Sequence, residues 1–364
     1  MQTYDVTIIG AGIAGAGVAE LLSTKGYSCL VLEQFSEPAC GTSSKSSKLI
    51  HGGLRYLENF ELGLVKESLE ERDYLVKHLP KLVQLQSFYI PLYSHSKRKP
   101  WMVFIGLSIY SLFSCKKFSS VPQERWESLD IETTELLKVY EYKDGITDDK
   151  ALTTHVLNTC ACTLKFSAKV AKIEDLETHC IVSYEKDAAM QQAISKVVIN
   201  AAGPWVNEVL HSCHPKPETL GIDLVLGSHI LVNTPVDRIY YIEAKDKRAI
   251  FVRPYHNGTL IGTTEVPVTK PQIHTEVPHA DIIYLIEHFN RYFKAKITEE
   301  NIIDAFAGLR VLPSDNKDAF KKSREVQIHH DKTNAPNVYS IYGGKLTSFR
   351  GTARKVFKKI KGKL

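Results

Sequence analysis

The sequence predicts an α/β protein in which a parallel-sheet domain carries an inserted α+β domain built on an antiparallel sheet. Two observations lead there. The first 33 residues alternate strand, glycine turn, helix and strand, as parallel strands joined by a crossover helix do. Between residues 223 and 262, several short β-like runs are bounded by Gly, Pro and Asp, as antiparallel strands are. A chain of 364 residues, at roughly 150 per domain, has room for both.

In the opening unit, Val6, Ile8 and Ile9 belong to an apolar run that stops at Gly10. Ile13, Val18, Leu21 and Leu22 continue at helical spacing as far as Gly26, and 29–32 is a second buried strand ended by Glu33. Leu62, Val65, Leu69, Val76 and Leu79 give a helix over 61–79 with charges on its other face. Residues 87–93 read as a strand, and 101–114 as a hydrophobic helix between Lys97-Arg98-Lys99 and Lys116-Lys117. Beyond Asp148, strands are expected at 168–173, 180–184 and 196–199. A helix at 279–293, strands near 302–306 and 337–342, and a closing helix just after Gly343-Gly344 complete the pattern. Segments 1–85, 150–218 and 307–364 are assigned to the first domain, and 86–149 and 219–306 to the second.

Composition narrows the function. With 43% hydrophobic and 24% charged residues the chain is neither disordered nor fibrous. A net charge of +5 is too mild to suggest a nucleic-acid partner. The excess sits in 350–364, which holds seven Lys or Arg and no acid. The seven cysteines contain no CxxC pair, and Cys160-Ala161-Cys162 lacks a second pair at metal-ligand spacing, so reduced thiols and no metal are expected. The N-terminus MQTYDVTIIG has no basic segment of the kind that opens a secretory signal. The charge-free stretch 101–115 is 15 residues long, short of the roughly 18 to 20 that span a bilayer. A cytoplasmic location is expected.

Gly10-Ala11-Gly12-Ile13-Ala14-Gly15 fits GxGxxG after a strand and at the start of a helix, the Rossmann-like arrangement for a dinucleotide. Gly10 permits the tight turn, Gly12 lets backbone approach a pyrophosphate, and Gly15 lets the helix lie close on the strand. Glu33, 18 residues after Gly15, is placed to hold a ribose hydroxyl pair. This unit does not separate FAD from NAD.

The run TSSKSSKLIHGGLRYL at 42–57 resembles the signature of FAD-dependent glycerol-3-phosphate dehydrogenases, in the flavoprotein group that includes D-amino-acid oxidase. Five further motifs follow in the family's order: NAAGPW at 200–205, GSH at 227–229, GTT at 262–264, GLR at 308–310 and GGKLT at 343–347. The resemblance covers essentially the whole chain and implies non-covalent FAD in the Rossmann-like domain. It assigns to the cofactor the fingerprint residues Gly10, Gly12, Ile13, Ala14, Gly15 and Glu33. It adds Thr42, Ser43, Ser44, Ser47, Lys48, Leu49, His51 and Gly52 from the second motif. Val170, Ala201, Gly203 and Trp205 follow, with Gly344, Lys345, Leu346 and Thr347 from the last motif. The chemistry agrees. Ser43, Ser44, Ser47 and Lys48 supply hydroxyls and a cation for pyrophosphate and ribityl oxygens. A helix opening near Leu346-Thr347 would aim its positive end at the flavin pyrimidine ring.

For the substrate, the resemblance implies Arg55, Tyr56, Arg310, Arg324 and Lys345, with guanidinium forks suited to a phosphate. It names His229, Arg310 and Lys345 as catalytic, His229 taking the C2 hydroxyl proton of glycerol 3-phosphate while the C2 hydride passes to flavin N5. Dihydroxyacetone phosphate would result, and electrons would leave to a quinone or another acceptor. Two alternatives stay open: an oxidase of the same group forming peroxide from a hydroxy acid or polyol phosphate, and a flavin-binding protein without turnover. Two departures from the pattern stand out. The family usually continues into a helical C-terminal domain, whereas this sequence stops 20 residues after Gly344. Its acidic pair is usually followed by Ala-Arg-Leu, where Lys150-Ala151-Leu152 stands here, which puts a local salt bridge in doubt. Finally, 101–114 with its basic flanks, and Val356, Phe357, Ile360 and Leu364 among Lys355, Lys358, Lys359, Lys361 and Lys363, fit contact with the inner face of the cytoplasmic membrane. A buried core helix and a solvated charged tail fit the same residues.

Overall fold

Two sheets organise the computed structural model, which describes residues 1–271, 276–314 and 325–364. The first is built around Gln2–Ile9, which pairs in parallel with Cys29–Leu32 on one side and with Ala189–Asn200 on the other. Val338–Tyr342 joins Ala189–Asn200, again in parallel, while Ala168–Asp175 and Cys180–Lys186 extend the sheet as antiparallel neighbours. Thr163–Lys165 closes the opposite edge beside Cys29–Leu32. The α-helices among the described residues are α1 (Ile13–Thr24), α2 (Leu62–His78), α3 (Pro100–Ser114), α4 (Asp149–Asn158), α5 (Val206–His211), α6 (His279–Tyr292) and α7 (Phe349–Ile360). The parallel strands read as continuous apolar runs because helices cover their faces. Val6, Ile8 and Val31 pack with Val18 and Leu22 of α1, Leu152 and Val156 of α4, and Val356 and Ile360 of α7 in one core.

The second sheet is mostly antiparallel. It runs from Val266–Val268 through Ile222–Val232, Gly258–Gly262, Ala249–Tyr255 and Ile239–Glu243 to Val83–Tyr93 and Leu136–Thr147. Ile302–Pro313 pairs with Ile222–Val232 along nearly its whole length. α6 seals one face of this sheet through Leu285, Ile286 and Phe289.

The pairing runs across two of the expected domain boundaries. A division at 306 would cut through Ile302–Pro313, and one at 85 through Val83–Tyr93, while Leu49–Ile50 pairs with Leu136–Thr147 rather than with the first sheet. We propose that the two units be divided by sheet membership. The closing helix begins at Phe349, later than its expected opening near Leu346-Thr347, because Gly343 and Gly344 lie at φ 77° and 107° and hold 343–348 as a loop.

The two lysine-flanked apolar segments part company. In α7, Val356 and Ile360 are fully buried in the first core and so not available to lipid, while Phe357 and, beyond the helix, Leu364 are half-buried against it. In α3, Val103, Leu107 and Tyr110 face inward, while Trp101, Met102, Phe104, Ile105, Leu112 and Phe113 are exposed. Among the described residues, no helix is long and apolar enough to cross a membrane.

Candidate active site

A cleft of about 420 Å³ runs from the N-terminus of α1 to the 343–348 loop. Its first wall is the glycine turn. Gly10 sits at φ 104°, and a Cβ there would lie 2.6 Å from the Ala201 carbonyl oxygen, so only glycine fits. A Cβ on Gly15 would lie 2.0 Å from the Gly10 carbonyl, and this residue packs helix on strand instead of lining the cleft. Gly12 meets only the Ser43 hydroxyl, at 3.1 Å, and its surface opens to the cleft. Ser43 Oγ accepts the Ile13 N–H at 2.9 Å, one of the amide donors at the positive end of α1. Glu33, 7% exposed, accepts the Ala11 N–H at 2.6 Å and the Phe35 N–H at 3.0 Å. Burial pushes its carboxyl above the ordinary range.

The structure brings most of the sequence-derived cofactor set to this one cleft. Gly10, Gly12, Ile13, Ala14, Glu33, Thr42, Ser43, Ser47, Leu49 and His51 line it. So do Val170, Ala201, Gly203, Trp205, Gly344, Lys345, Leu346 and Thr347. Four others do not. Besides Gly15, Gly52 packs under Leu69 and donates its N–H to Tyr110 Oη at 2.9 Å. Ser44 turns its hydroxyl to the Gly41 carbonyl at 3.3 Å. Lys48 is the informative departure. Its Nζ lies 2.5 Å from Asp149 Oδ1 and 2.9 Å from the Ser44 carbonyl, in a buried pair that also takes the Ser46 amide and hydroxyl on Oδ2. A cation so paired is a brace for the 44–48 turn. Lys45, three residues earlier, lines the cleft in its place. The acidic pair has its own roles: Asp148 caps α4 through the Ala151 N–H, and Lys150, which replaces the usual arrangement there, reaches Glu37 at 2.7 Å.

Beyond the cleft lies a smaller cavity of about 90 Å³, lined by Leu54, Arg55, Tyr142, Asp144, Tyr241, Phe251 and Thr263 among others. Ser47, His51, Tyr56 and Arg310 border both spaces. Arg310 donates to Glu265 Oε1 and to Thr263 Oγ1, each at 3.0 Å, and Arg55 lies 3.5 Å from the same carboxylate oxygen. The Lys345 ammonium stands 3.9 Å over the centre of the Tyr56 ring. Arg324 falls outside the described residues.

His229 is not on either wall. It is 1% exposed, stacked on Phe306, with Nε2 2.9 Å from the Ser47 hydroxyl that does reach the cleft. Burial, then the charges of Arg310 and Lys48, bring its pKa down to about 3, so the ring is neutral at any ordinary pH and resists taking up a proton. His51, assigned from the sequence to the cofactor, is the imidazole that borders both spaces. Sequence reasoning also missed Glu265, Asp144 and Asp149. Asp149 stood out only as half of an acidic pair, and the other two carried no signal.

Comparison with known proteins decides the family. Residues 5–357 match the family model described as FAD dependent oxidoreductase. The chain belongs to the FAD-dependent oxidoreductases. Among its relatives is the aerobic glycerol-3-phosphate dehydrogenase of Escherichia coli (strain K12), 33% identical over 386 residues, covering 99% of this chain and 74% of that one. The D-erythritol 1-phosphate dehydrogenase of Brucella abortus (strain 2308) is also 33% identical, over 377 residues, with the same coverage of 99% and 74%. The fold matches that of the Bacillus halodurans glycerol-3-phosphate dehydrogenase complexed with FAD, at TM-score 0.79 and 23% identity. There the match covers 99% of this chain but 65% of the other, so this oxidoreductase chain spans somewhat under two thirds of that enzyme's length. The L-alpha-glycerophosphate oxidase of Mycoplasma pneumoniae with FAD bound aligns at TM-score 0.79 and 15% identity, covering 99% and 95%.

Proposed function

We propose that this chain is a polyol-phosphate dehydrogenase with glycerol 3-phosphate as its substrate and dihydroxyacetone phosphate as its product. The observation that carries this reading is the pair of adjoining spaces sharing Ser47, His51, Tyr56 and Arg310: a long cleft for a dinucleotide, and a small cavity beside it with two arginines. FAD suits the cleft, since glycine backbone, the α1 amides and Glu33 stand where a pyrophosphate and a ribose need them. Bound there, FAD would supply the acceptor for the substrate's C2 hydride and the route by which electrons leave to a quinone or another acceptor. Arg310 and Arg55 hold the phosphate, and Tyr56 with Lys345 closes the boundary between the two spaces. The C2 hydroxyl proton goes to His51, which faces both spaces. His229, held neutral behind Ser47, fixes the direction of that hydroxyl.

The Brucella abortus relative, named for a different phosphorylated polyol at equal identity, favours a second reading in which D-erythritol 1-phosphate is the substrate. Anaerobic titration of the purified yellow protein with glycerol 3-phosphate, D-erythritol 1-phosphate and unphosphorylated glycerol, followed by flavin absorbance, tests both. Bleaching by either phosphorylated polyol and not by glycerol is the expected result. No bleaching by either would favour a flavin-binding protein without turnover, and peroxide formed in air would favour an oxidase.

We propose further that the outer face of α3 rests on an anionic membrane surface. Trp101, Phe104, Ile105 and Leu112 are exposed there between exposed Lys97, Lys99, Lys116 and Lys117, and Phe60 stands 86% exposed near the start of α2. A bilayer is also where a quinone dissolves. Flotation with liposomes should rise with acidic lipid and fall with salt. Absence from the floating fraction at every composition would leave a diffusible acceptor.

A further inference from the structure

The CxC sequence Cys160-Ala161-Cys162 has no part in the cleft, yet the fold gives it a third thiol. Thr163–Lys165 runs parallel to Cys29–Leu32 with Leu30 opposite Thr163, which sets Cys29 across from Cys162 at the mouths of the two strands. Cys29, Cys160 and Cys162 all belong to the core under α1. The Cys160 sulfur stands 4.0 Å from the Ala16 carbonyl oxygen and the Cys162 sulfur 3.8 Å from that of Ala19, two carbonyls on the same helix. Cys29 is buried, whereas Cys160 and Cys162 are partly open to solvent. All three are free thiols. Among the described residues no group of three His, Cys, Asp or Glu side chains is placed to hold a metal ion.

We propose that Cys162 is a thiol-oxidation site of this protein, with Cys29 or Cys160 as its resolving partner and a hydroperoxide as the oxidant. Electrostatics agree with the placement. The neighbouring Cys160 and Cys29 sulfurs favour the thiolate at Cys162 and hold it well below the ordinary thiol range, while the same proximity pushes Cys29 and Cys160 up. The thiolate is the nucleophile in such chemistry, and Cys162 is the member of the cluster that is both acidic and reachable. Its sulfur attacks one oxygen of the peroxide, the O–O bond breaks, and the departing hydroxide takes up a proton as water, leaving a sulfenic acid. The neighbouring thiol then attacks that sulfur, forming the S–S bond and releasing a second water with the thiol proton. Two electrons pass from two thiols to one peroxide.

The test uses the intact, cofactor-loaded protein and hydrogen peroxide in slight excess, followed by alkylation and peptide mass mapping. The expected result is loss of two of the seven thiols, with Cys162 linked to Cys29 or Cys160, before Cys115 on the surface is consumed. Cys162→Ser should keep its six remaining thiols under the same exposure. Wild-type protein gives an independent reading: alkylation of Cys162 should proceed at pH 6, where an ordinary thiol, at about 8.5, reacts slowly. Cys162 still reduced after Cys115 has been oxidised would overturn the proposal, as would a Cys29–Cys160 link formed in Cys162→Ser.

Discussion

The long cleft and the small cavity beside it meet at Ser47, His51, Tyr56 and Arg310, but they are built by opposite means. The cleft is made of main chain. Its glycine turn, the amide end of α1 and Glu33 come from near the N-terminus, and parts of 41–51, 201–205, 308–313 and the 343–347 loop complete it. The cavity is made of charge. Arg55, Asp144, Thr263 and Arg310 converge on it from four distant segments, with Glu265 behind the two arginines. A site made of main chain tolerates no added atoms, whereas a site made of charge tolerates no lost partner.

Gly10→Val should show the largest effect, because its Cβ would overlap the Ala201 carbonyl at a backbone angle that only glycine adopts readily. Protein recovered from this variant should be colourless, with flavin absorbance below a tenth of wild type. Gly12→Ala provides the contrast: its Cβ meets only the Ser43 hydroxyl, so the fold should melt within a few degrees of wild type while flavin binds more weakly. Equal loss of fold in the two variants would break the distinction between packing and cofactor-facing glycines.

Next in size is the buried brace under the cleft. Asp149→Ala strands the Lys48 ammonium in a site where both partners are nearly inaccessible, and breaking such a pair costs about 3 to 5 kcal/mol. A large drop in denaturant midpoint is the expected measurement. A variant as stable as wild type would return Lys48 to the cofactor.

Arg310→Ala should act chiefly on the cavity, although the residue borders both spaces. Loss of a charge-assisted bond to phosphate, about 1.5 to 3 kcal/mol, lowers kcat/KM for glycerol 3-phosphate by roughly ten- to hundredfold. Flavin content should stay unchanged, and the rate with unphosphorylated glycerol should fall little. Equal losses with both substrates would show that Arg310 does not read phosphate.

The smallest effect is one of pH. His229 titrates near 3 in the folded protein and near 6.5 when unfolded, so between those values the unfolded chain binds the extra proton. Stability from this group is complete above about 6.5 and is lost as pH falls toward 3, by roughly 2 kcal/mol at pH 5. Thermal melts at pH 7 and pH 5 should therefore converge more closely in His229→Gln than in wild type. An equal pH dependence in both proteins would place the buried imidazole elsewhere.

How much of each region could be read in advance follows from how it is built. The cleft was legible because its determinants are local: GxGxxG sits within six residues, and Gly10 and Gly12 do their work through the backbone they leave uncovered. Lys48 was misplaced because Lys45 and Lys48 share one motif, and only the position of buried Asp149 decides which of the two is neutralised. His229 was placed at the substrate by its motif, but the side chain lies behind Ser47, a hydroxyl brought to it from a turn 182 residues away in the chain.

The sequence by itself determined the family, the parallel and antiparallel halves, and the glycine turn that faces the cleft, since hydrophobic period and glycine placement act over a few residues. It also determined that two apolar segments lie among lysines. Which of them is covered was decided only by tertiary packing: Val356 and Ile360 are sealed in the first core, while among the described residues Trp101, Ile105 and Leu112 of α3 stay exposed. The same holds for charge. Whether a lysine, an arginine or a histidine is spent within the protein or left facing a cavity depends on carboxylates and hydroxyls brought from distant strands. Electrostatic interactions act through space, and the chain's order does not record that distance.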